Sequence, residues 1–156
     1  MSPFGIGSKG TSGIDMPLTQ FWNPIAINNV EAQKNFYSRE NLAALKLLRK
    51  EAAEPQKLDR LMKVYHDTLG YSIVRRAEEA KIALAECAQY RAAINVASEL
   101  VEVDISVEQM VDAIETPKSK MIELVKEAIQ QGQKKPDVIY MTGGSARSPI
   151  LREAVE

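Results

Sequence analysis

The amino-acid sequence predicts an α+β fold, in which a long helical hairpin carries a small antiparallel β-hairpin and a strand–glycine turn–helix element follows. Three observations support this fold class. Apolar residues recur every three or four positions across 30–88, which is typical of amphipathic helices. The period changes to two across 90–105, as in strands with one buried face. An apolar run rich in β-formers then leads into a glycine pair within 138–144, which indicates a strand and a tight turn.

Length, charge and cysteine content restrict the class of protein. The 156 residues include 20 Lys and Arg against 21 Asp and Glu, so there is no electrostatic basis for binding nucleic acid or an anionic membrane. No apolar run reaches the roughly 20 residues of a membrane span, and the N-terminus lacks the features of a signal peptide. The single cysteine, Cys87, excludes an internal disulfide and fits a reducing compartment. We therefore expect a cytoplasmic domain without nucleic-acid or membrane partners.

Residues 1–29 are predicted to form an irregular lead-in rich in glycine and proline. The segment Gly5–Gly10 matches the dinucleotide-binding pattern G-x-G-x-x-G. No strand precedes it and no amphipathic helix follows before Pro17, so we interpret it as a loop and not as a phosphate site. We expect Phe21 and Trp22 to anchor the lead-in onto the core.

Two helical segments should follow and pack as an antiparallel hairpin. The first begins at Val30, and Ser38 can cap a break near its middle. The second begins at Pro55 and is expected to run to about Ala88. The predicted buried positions are Phe36, Tyr37, Leu42, Leu45, Leu48 and Ala52 in the first segment, and Leu58, Leu61, Met62, Tyr65, Leu69, Ile73, Ala77, Ala80 and Leu84 in the second.

The alternating region predicts two antiparallel strands that turn near Ser98-Glu99. Because an isolated hairpin is marginally stable, it should lie on the helices or join a strand from 13–29. Ser106 and Gln109 form a capping box that starts a short helix. A second helix is expected to begin at Thr116-Pro117 and to end at Gly132.

The last segment combines features that suit an anionic or strongly polar ligand. Val138–Met141 reads as a buried strand, and Gly143 and Gly144 allow a close approach of backbone to ligand. Ser148 is placed as a helix N-cap before Pro149. The turn and the helix start would present backbone N–H groups and a positive dipole end. Taken alone, such a glycine pair is also compatible with a plain strand-to-helix turn.

The complete string is more specific than the glycine pair. An aliphatic strand is followed by Gly143, Gly144 and Ser145, then by Arg147 and Pro149. This string resembles the last nucleotide-binding motif of heat-shock protein 70 (DnaK-type) chaperones, members of the actin-like ATPase superfamily. The resemblance implies that the turn contacts the adenosine part of ATP or ADP and that Arg147 lies against the base.

A second match lies on the predicted long helix. Glu78, Ala80, Lys81 and Leu84 resemble the Glu-x-Ala-Lys-x-x-Leu stretch of the same family, which implies that Glu78 and Lys81 reach the ribose hydroxyls. Ile82 stands where the family usually has an Arg that stacks on adenine, and Ala85 replaces a usual Ser. From spacing alone, an i,i+3 ion pair between Glu78 and Lys81 on a solvated flank is the alternative.

The resemblance covers most of this chain but only part of the family's ATPase domain. The short YegD-like branch also resembles this sequence at Phe21–Asn23 and Asn29–Gln33. The family's Asp-x-Gly-Thr and Asp-x-Gly-Gly-Gly-Thr loops are absent from the 156 residues. The resemblance therefore implies a fragment of lobe II of an actin-like, ribonuclease H-like ATPase. Its segments would be a lead-in at 1–29, a nucleotide-capping subdomain at 30–133 and an adenosine motif at 134–156.

The implied cofactor is ATP or ADP, with Mg²⁺ held by residues of the complete protein that this chain lacks. The implied partners are the nucleotide, the rest of the ATPase domain and a nucleotide-exchange factor. The parent protein is expected to be an ATPase, whereas this chain alone should not hydrolyse ATP.

Two rival interpretations remain open. One is a sugar-kinase relative, which also closes a strand with a glycine turn but lacks the Glu-x-Ala-Lys helix. The other is a helical interaction module without nucleotide. His66, the only histidine, and Cys87 have no catalytic partner at a recognisable spacing. Acidic residues show no metal-ligand spacing, so we expect neither a catalytic nor a metal site in this chain.

Overall fold

The structure, a computed structural model, describes residues 2–132 and 136–155, with the backbone alone for Ser145 and Arg147. It confirms the α+β class, with helices and one two-stranded antiparallel sheet in the described residues. Short 3₁₀ turns occur at Asn23–Ile25 and Gly144–Arg147. The helices are α1 (Thr19–Trp22), α2 (Val30–Phe36), α3 (Arg39–Glu51), α4 (Pro55–His66), α5 (Gly70–Ala83), α6 (Val107–Gln131) and α7 (Pro149–Glu153), and the strands are β1 (Gln89–Val96) and β2 (Glu99–Ser106).

The expected break in the first helical segment is confirmed at Ser38. The Ser38 hydroxyl oxygen accepts a hydrogen bond from the Asn41 backbone N–H at 3.0 Å, which caps α3. Asn29 caps α2 in the same way by accepting from Ala32 N–H at 3.0 Å. The Ser38 side chain, which satisfies a free N–H group at the start of α3, therefore marks the boundary between α2 and α3.

The single helix expected from Pro55 to about Ala88 is wrong. Two helices replace it, because Thr68 takes a left-handed conformation with φ 52° between α4 and α5. Gly70 then starts α5 so close to the first 3₁₀ turn that a Cβ would lie 2.1 Å from the Pro24 carbonyl oxygen. The apolar spacing continues across this break, which is why the periodicity did not reveal it.

Helices α3 and α4 form the predicted antiparallel hairpin. Near the end of α4, the Tyr65 hydroxyl donates to the carbonyl oxygens of Tyr37 and Ser38, at 3.2 and 3.3 Å, just before α3. Arg49, near the end of α3, pairs with Asp59 in the first half of α4. The lead-in and α2 also contribute to the buried cluster around this hairpin, which consists of Met16, Phe21, Phe36, Leu45, Ala52, Leu58, Leu61 and Val64.

The β-hairpin is confirmed, with its turn at Ala97-Ser98 and a left-handed φ of 55° at Ala97. A positive φ at the first of two turn residues is a feature of type II′ turns, which match the twist of antiparallel strands. The hairpin lies on the helices and not beside a strand from 13–29. Its buried residues Ile94, Val96 and Val101 pack with the partly buried Phe4, Leu69 and Ile73.

The N-terminal G-x-G-x-x-G segment is a loop folded onto the core. A Cβ at Gly5 would lie 3.2 Å from the Phe21 ring, and Gly10 forms an antiparallel bridge with Ala52. Phe21 is buried as expected. The expectation for Trp22 is wrong, because this side chain is 54% exposed. Phe21 is thus the anchor of the lead-in.

The two helices expected after the sheet are one continuous helix, α6, with Pro117 in its interior. The capping box at its start is confirmed, because Ser106 and Gln109 exchange side chain–backbone hydrogen bonds of 3.0 and 3.3 Å. Proline removes one backbone hydrogen bond. Glu115 spans the affected turn through an ion pair with Lys118 at 2.6 Å and a hydrogen bond from Ser119 at 3.2 Å.

The chain divides into two compact units. The N-terminal unit comprises Met1–Ala80 and Arg91–Val103, and the C-terminal unit comprises Lys81–Tyr90 and Asp104–Glu156. Within the described residues, no helix is both long and apolar enough to cross a membrane.

Candidate functional site

The predicted strand at Val138–Met141 is wrong. The segment is not in a strand, and Val138, Ile139 and Tyr140 are 61%, 45% and 88% exposed. The described sheet contains only β1 and β2, so this segment has no described strand beside it. Without a neighbouring strand, its backbone groups have no ladder to join among the described residues. The apolar composition therefore marks a segment that this structure leaves uncovered.

The glycine turn that follows has an open backbone. Gly143 has φ +86°, and the 3₁₀ turn Gly144–Arg147 begins at the next residue. A Cβ added at Gly143 or Gly144 would meet no atom within 4 Å. The conformation therefore requires glycine at Gly143, whereas Gly144 lies in ordinary backbone with free space around it. A ligand could approach the main chain at both positions.

Helix α7 begins where the sequence predicts. Ser148 is its N-cap residue, and Pro149 occupies the first turn. The Ser148 side chain makes no capping hydrogen bond, while its carbonyl oxygen accepts from Arg152 N–H at 3.1 Å. The helix start is confirmed by backbone geometry alone.

The predicted ribose- and base-contacting residues on α5 are exposed. Glu78 and Lys81 both face solvent, and Ile82 is 63% exposed. Among the described residues, neither Glu78 nor Lys81 has a side-chain hydrogen bond or an ion pair. These three side chains are therefore accessible to a ligand, and Ile82 is not a core residue of the helix.

The alternative ion pair between Glu78 and Lys81 is not formed. The ion pairs of α5 lie at the neighbouring position, where Glu79 contacts Arg75 at 3.4 Å and Arg76 at 2.6 Å. The hydrogen bond from Arg76 holds the pKa of Glu79 below its ordinary value. Both arginines pair with the neighbouring Glu79 carboxylate, so Glu78 has no ion-pair partner among the described residues.

The buried stripe of α5 differs from the prediction at one position. Ala80 is 3% exposed and Leu84, just beyond the helix, is 5% exposed, as expected. Ala77 is exposed, so the helix buries a narrower stripe than its spacing indicated.

The structure groups the predicted site residues only in part. Lys81, Ile82, Gly143 and Gly144 belong to the C-terminal unit, whereas Glu78 belongs to the N-terminal unit. The side chains of Ser145 and Arg147 lie outside the described atoms, so the expected contact of Arg147 with the base stays a prediction.

An open cavity of about 670 Å³ lies within the C-terminal unit, beside the glycine turn. Its walls come from the end of α6, the segment 136–141 and α7, and Ala146 connects it to the turn. Arg152 and Ile129 were not expected to line a cavity, because neither belongs to the motif residues Glu78–Leu84 or Gly143–Pro149. The described lining residues are Ile129, Pro136, Asp137, Val138, Ile139, Met141, Ala146, Arg152 and Val155.

The remaining candidates for catalysis or metal binding are Cys87, His66 and the acidic side chains. Cys87 is exposed, and its thiol donates to the carbonyl oxygens of Ala83 and Gln89 at 3.0 and 3.1 Å. His66 is exposed at the end of α4, where its ring lies edge-on to Tyr65. Within the described ranges, no group of three or more His, Cys, Asp or Glu residues could hold a metal ion.

No protein-family model matches the chain. The resemblance to heat-shock protein 70 ATPases therefore stays a prediction, drawn from the motifs Glu78–Leu84 and Gly143–Pro149 and from the shorter matches at Phe21–Asn23 and Asn29–Gln33.

Proposed function

We propose that this chain is the nucleotide-capping part of the ATP-binding domain of a heat-shock protein 70-like cytoplasmic chaperone. The observation that carries the proposal is the geometry of the turn Gly143–Arg147. A left-handed glycine, a single 3₁₀ turn and a helix begun by Pro149 follow one another, with free space over both glycines. Such a turn lets backbone approach a ligand more closely than any side chain would allow.

The exposed face of α5 supplies groups that suit a nucleoside. The Glu78 carboxylate accepts hydrogen bonds and the Lys81 ammonium donates them, and a ribose hydroxyl can do both. Neither group has a described partner that would compete with a ligand. Ile82 adds an exposed apolar surface on which a base could lie.

The proposed protein partner is the rest of the ATPase domain, and a nucleotide-exchange factor is the second. The segment 138–141 exposes the apolar side chains of Val138, Ile139 and Tyr140 and has no described strand beside it, so we expect it to add to a sheet of that partner. The triphosphate and Mg²⁺ would be held by the same partner. In the complete protein, bound nucleotide would hold this part closed, and nucleotide release would let it move.

Amide chemical shifts test the proposal directly on the 156-residue chain. Titration with ATP should shift the amides of Gly143, Gly144, Lys81 and Ile82, with a dissociation constant of about 1 mM or weaker, because half of the pocket is missing. The chain should not hydrolyse ATP above background. Gly144→Val should abolish the shifts and keep the fold, since a Cβ at Gly144 meets no atom.

The matched control uses two glycines of the same conformation. Gly143 and Gly13 have φ +86° and +80°, and a Cβ at either would meet no atom within 4 Å. Gly143→Ala and Gly13→Ala therefore impose a similar local strain. The proposal requires that only Gly143→Ala weakens the nucleotide response. Equal responses in both variants, or shifts that avoid the glycine turn, would contradict it.

A second candidate function is a protein-interaction module without nucleotide. The exposure of Val138, Ile139 and Tyr140 favours it, since contiguous exposed apolar side chains mark interaction sites. Under this function, ATP would cause no specific shifts at Lys81 or Gly144.

A further inference from the structure

Helix α6 carries an apolar stripe that the rest of the described structure covers only in part. None of its 25 residues is buried, although the helix spans about 37 Å. Leu124, at the edge of the stripe, is 66% exposed. A long amphipathic helix normally gains most of its stability by burying such a stripe. The half-buried stripe consists of Val107, Met110, Val111, Ile114, Met121, Ile122, Val125 and Ile129.

The charges of α6 are distributed unevenly along its length. Within α6, Glu108, Asp112 and Glu115 precede Pro117, and no lysine or arginine does. All three lysines of the helix follow Pro117, together with Glu123 and Glu127, so the second half has a net charge of opposite sign. Two such helices side by side in the same direction would place carboxylates beside carboxylates. In opposite directions, the acidic half of one would lie beside the half of the other that carries the lysines.

We propose that two copies of this chain associate through α6 in an antiparallel arrangement, with a two-fold axis near Pro117. A second copy is the occupant that this charge distribution fits, and a two-fold axis uses each contact twice. The association does not depend on the proposed nucleotide function.

An axis near Pro117 pairs residues at equal distances on its two sides. Glu108 and Lys126 each lie nine residues from Pro117. They are five helical turns apart and therefore share one flank of the stripe. Met110 and Leu124 each lie seven residues from Pro117, and they occupy the other flank. The antiparallel pair thus has an ion pair on one side and an apolar contact on the other.

The centre of the proposed interface is compatible with this pairing. Lys118 lies within the stripe, and its ammonium is 2.6 Å from Glu115 Oε2. This intrahelical ion pair neutralises the central cation, so two copies of Lys118 would not repel one another strongly across the axis.

Sedimentation velocity of the full chain at micromolar to millimolar concentrations tests the association. The mass of the wild type should rise from 17.3 kDa toward twice that value. Leu124→Glu should weaken self-association at least about tenfold by placing a charge in the apolar contact. Leu47→Glu is the matched control, because Leu47 lies on α3 and is 60% exposed. It should have no effect.

Charge variants test the direction of pairing. Lys126→Glu should weaken the dimer several-fold, and increasing salt should reduce this difference. Lys120→Glu makes the same change of charge on the opposite side of α6 and should leave the dimer intact. Tyr140→Ser should also leave it intact, because the exposed segment at 138–140 does not take part.

Three outcomes would overturn the proposal. The wild type could stay monomeric at every concentration, Leu124→Glu could match Leu47→Glu, or Tyr140→Ser could dissociate the dimer. Each variant replaces an exposed residue, so circular dichroism should show an unchanged helix content.

Discussion

The two units of this chain differ most in how much apolar side chain they bury. In the N-terminal unit, Phe36, Leu45, Leu58 and Val64 are completely buried. In the described part of the C-terminal unit, Leu84 is the only buried residue. The C-terminal unit nevertheless carries the glycine turn and most of the predicted nucleotide contacts. Most of the predicted nucleotide-contacting residues therefore lie in the unit whose own packing contributes least to stability, whereas Glu78 lies in the N-terminal unit.

This difference has a physical consequence. Regions with few buried apolar contacts open at low free-energy cost, and ligand-binding elements are commonly drawn from such regions. A ligand or partner that binds only the closed form then adds its binding free energy to stability. We expect the N-terminal unit to be stable by itself and the C-terminal unit to gain order from partners.

The largest expected difference in the free energy of unfolding is between two leucine substitutions on α3. Leu45 is completely buried and Leu47 is 60% exposed. Leu45→Ala should lower the free energy of unfolding by about 2–5 kcal/mol, because it removes apolar contacts and leaves a cavity. Leu47→Ala should change it by about 0.5 kcal/mol or less. Urea denaturation measures both, and similar losses would mean that the hairpin core is not packed as described.

A smaller difference in stability is expected between alanine substitutions of two glycines, one in each unit. A Cβ at Gly70 would lie 2.1 Å from the Pro24 carbonyl oxygen, whereas one at Gly144 would meet nothing within 4 Å. Gly70→Ala should cost about 1–3 kcal/mol, because the backbone must move. Gly144→Ala should leave thermal unfolding within about 0.5 kcal/mol of the wild type. If Gly70→Ala were neutral, the packing of α5 against the first 3₁₀ turn would be wrong.

Ile82→Arg tests whether the exposed face of α5 holds the base. Because Ile82 is 63% exposed, the substitution should leave the melting temperature nearly unchanged. In a protein that contains the rest of the ATPase domain, an Arg there should tighten ATP binding about threefold to tenfold by stacking on the base. Calorimetric titration measures the affinity, with Leu47→Arg as an equally exposed control on α3. No gain in affinity would mean that the nucleotide does not contact this face.

The smallest expected change in stability comes from removing the ion pair that links the β-hairpin to α4. Arg60 Nε donates to Glu99 Oε1 at 3.0 Å, and Lys63 lies 3.7 Å from Glu99. The Arg60 hydrogen bond holds the pKa of the Glu99 carboxyl below its ordinary value of 4.5. A lowered carboxyl pKa stabilises the fold above about pH 4.5, and this contribution is lost as the pH falls through the lower, folded-state pKa.

Glu99→Gln should therefore lower the melting temperature by about one to two degrees at neutral pH. The difference between wild type and variant should vanish in acid, where Glu99 is protonated in both the folded and the unfolded state. Thermal melts at several pH values check this. A difference that grows as the pH falls would contradict the sign of the pKa shift.

Local signals predicted much of the N-terminal unit. The cap at Ser38, the β-hairpin with its turn near Ser98 and the core positions Leu45 and Leu58 all follow from patterns within a few residues. The break at Thr68 could not be found in this way, because the packing of Gly70 against Pro24 is a contact between distant parts of the chain.

The C-terminal unit was predicted less well. Apolar, β-branched composition at Val138–Met141 indicated a buried strand, but a strand also requires a neighbour, and composition does not supply one. Pro117 indicated a helix boundary that the ion pair and hydrogen bond of Glu115 bridge instead. For the candidate site, the start of α7 followed from Ser148 and Pro149. The role of Arg147 depends on a side chain outside the described atoms.

Residue-resolved hydrogen exchange tests the difference between the two units most directly. Amides of α3 and α4 should exchange only through global unfolding, with free energies near that measured by denaturant. Amides at 138–153 should exchange with free energies close to zero in the free chain, and saturating ATP should increase the protection of Gly143 and Gly144. Equal high protection in both regions without ligand would contradict the account, and so would protection at 143–144 that ATP leaves unchanged.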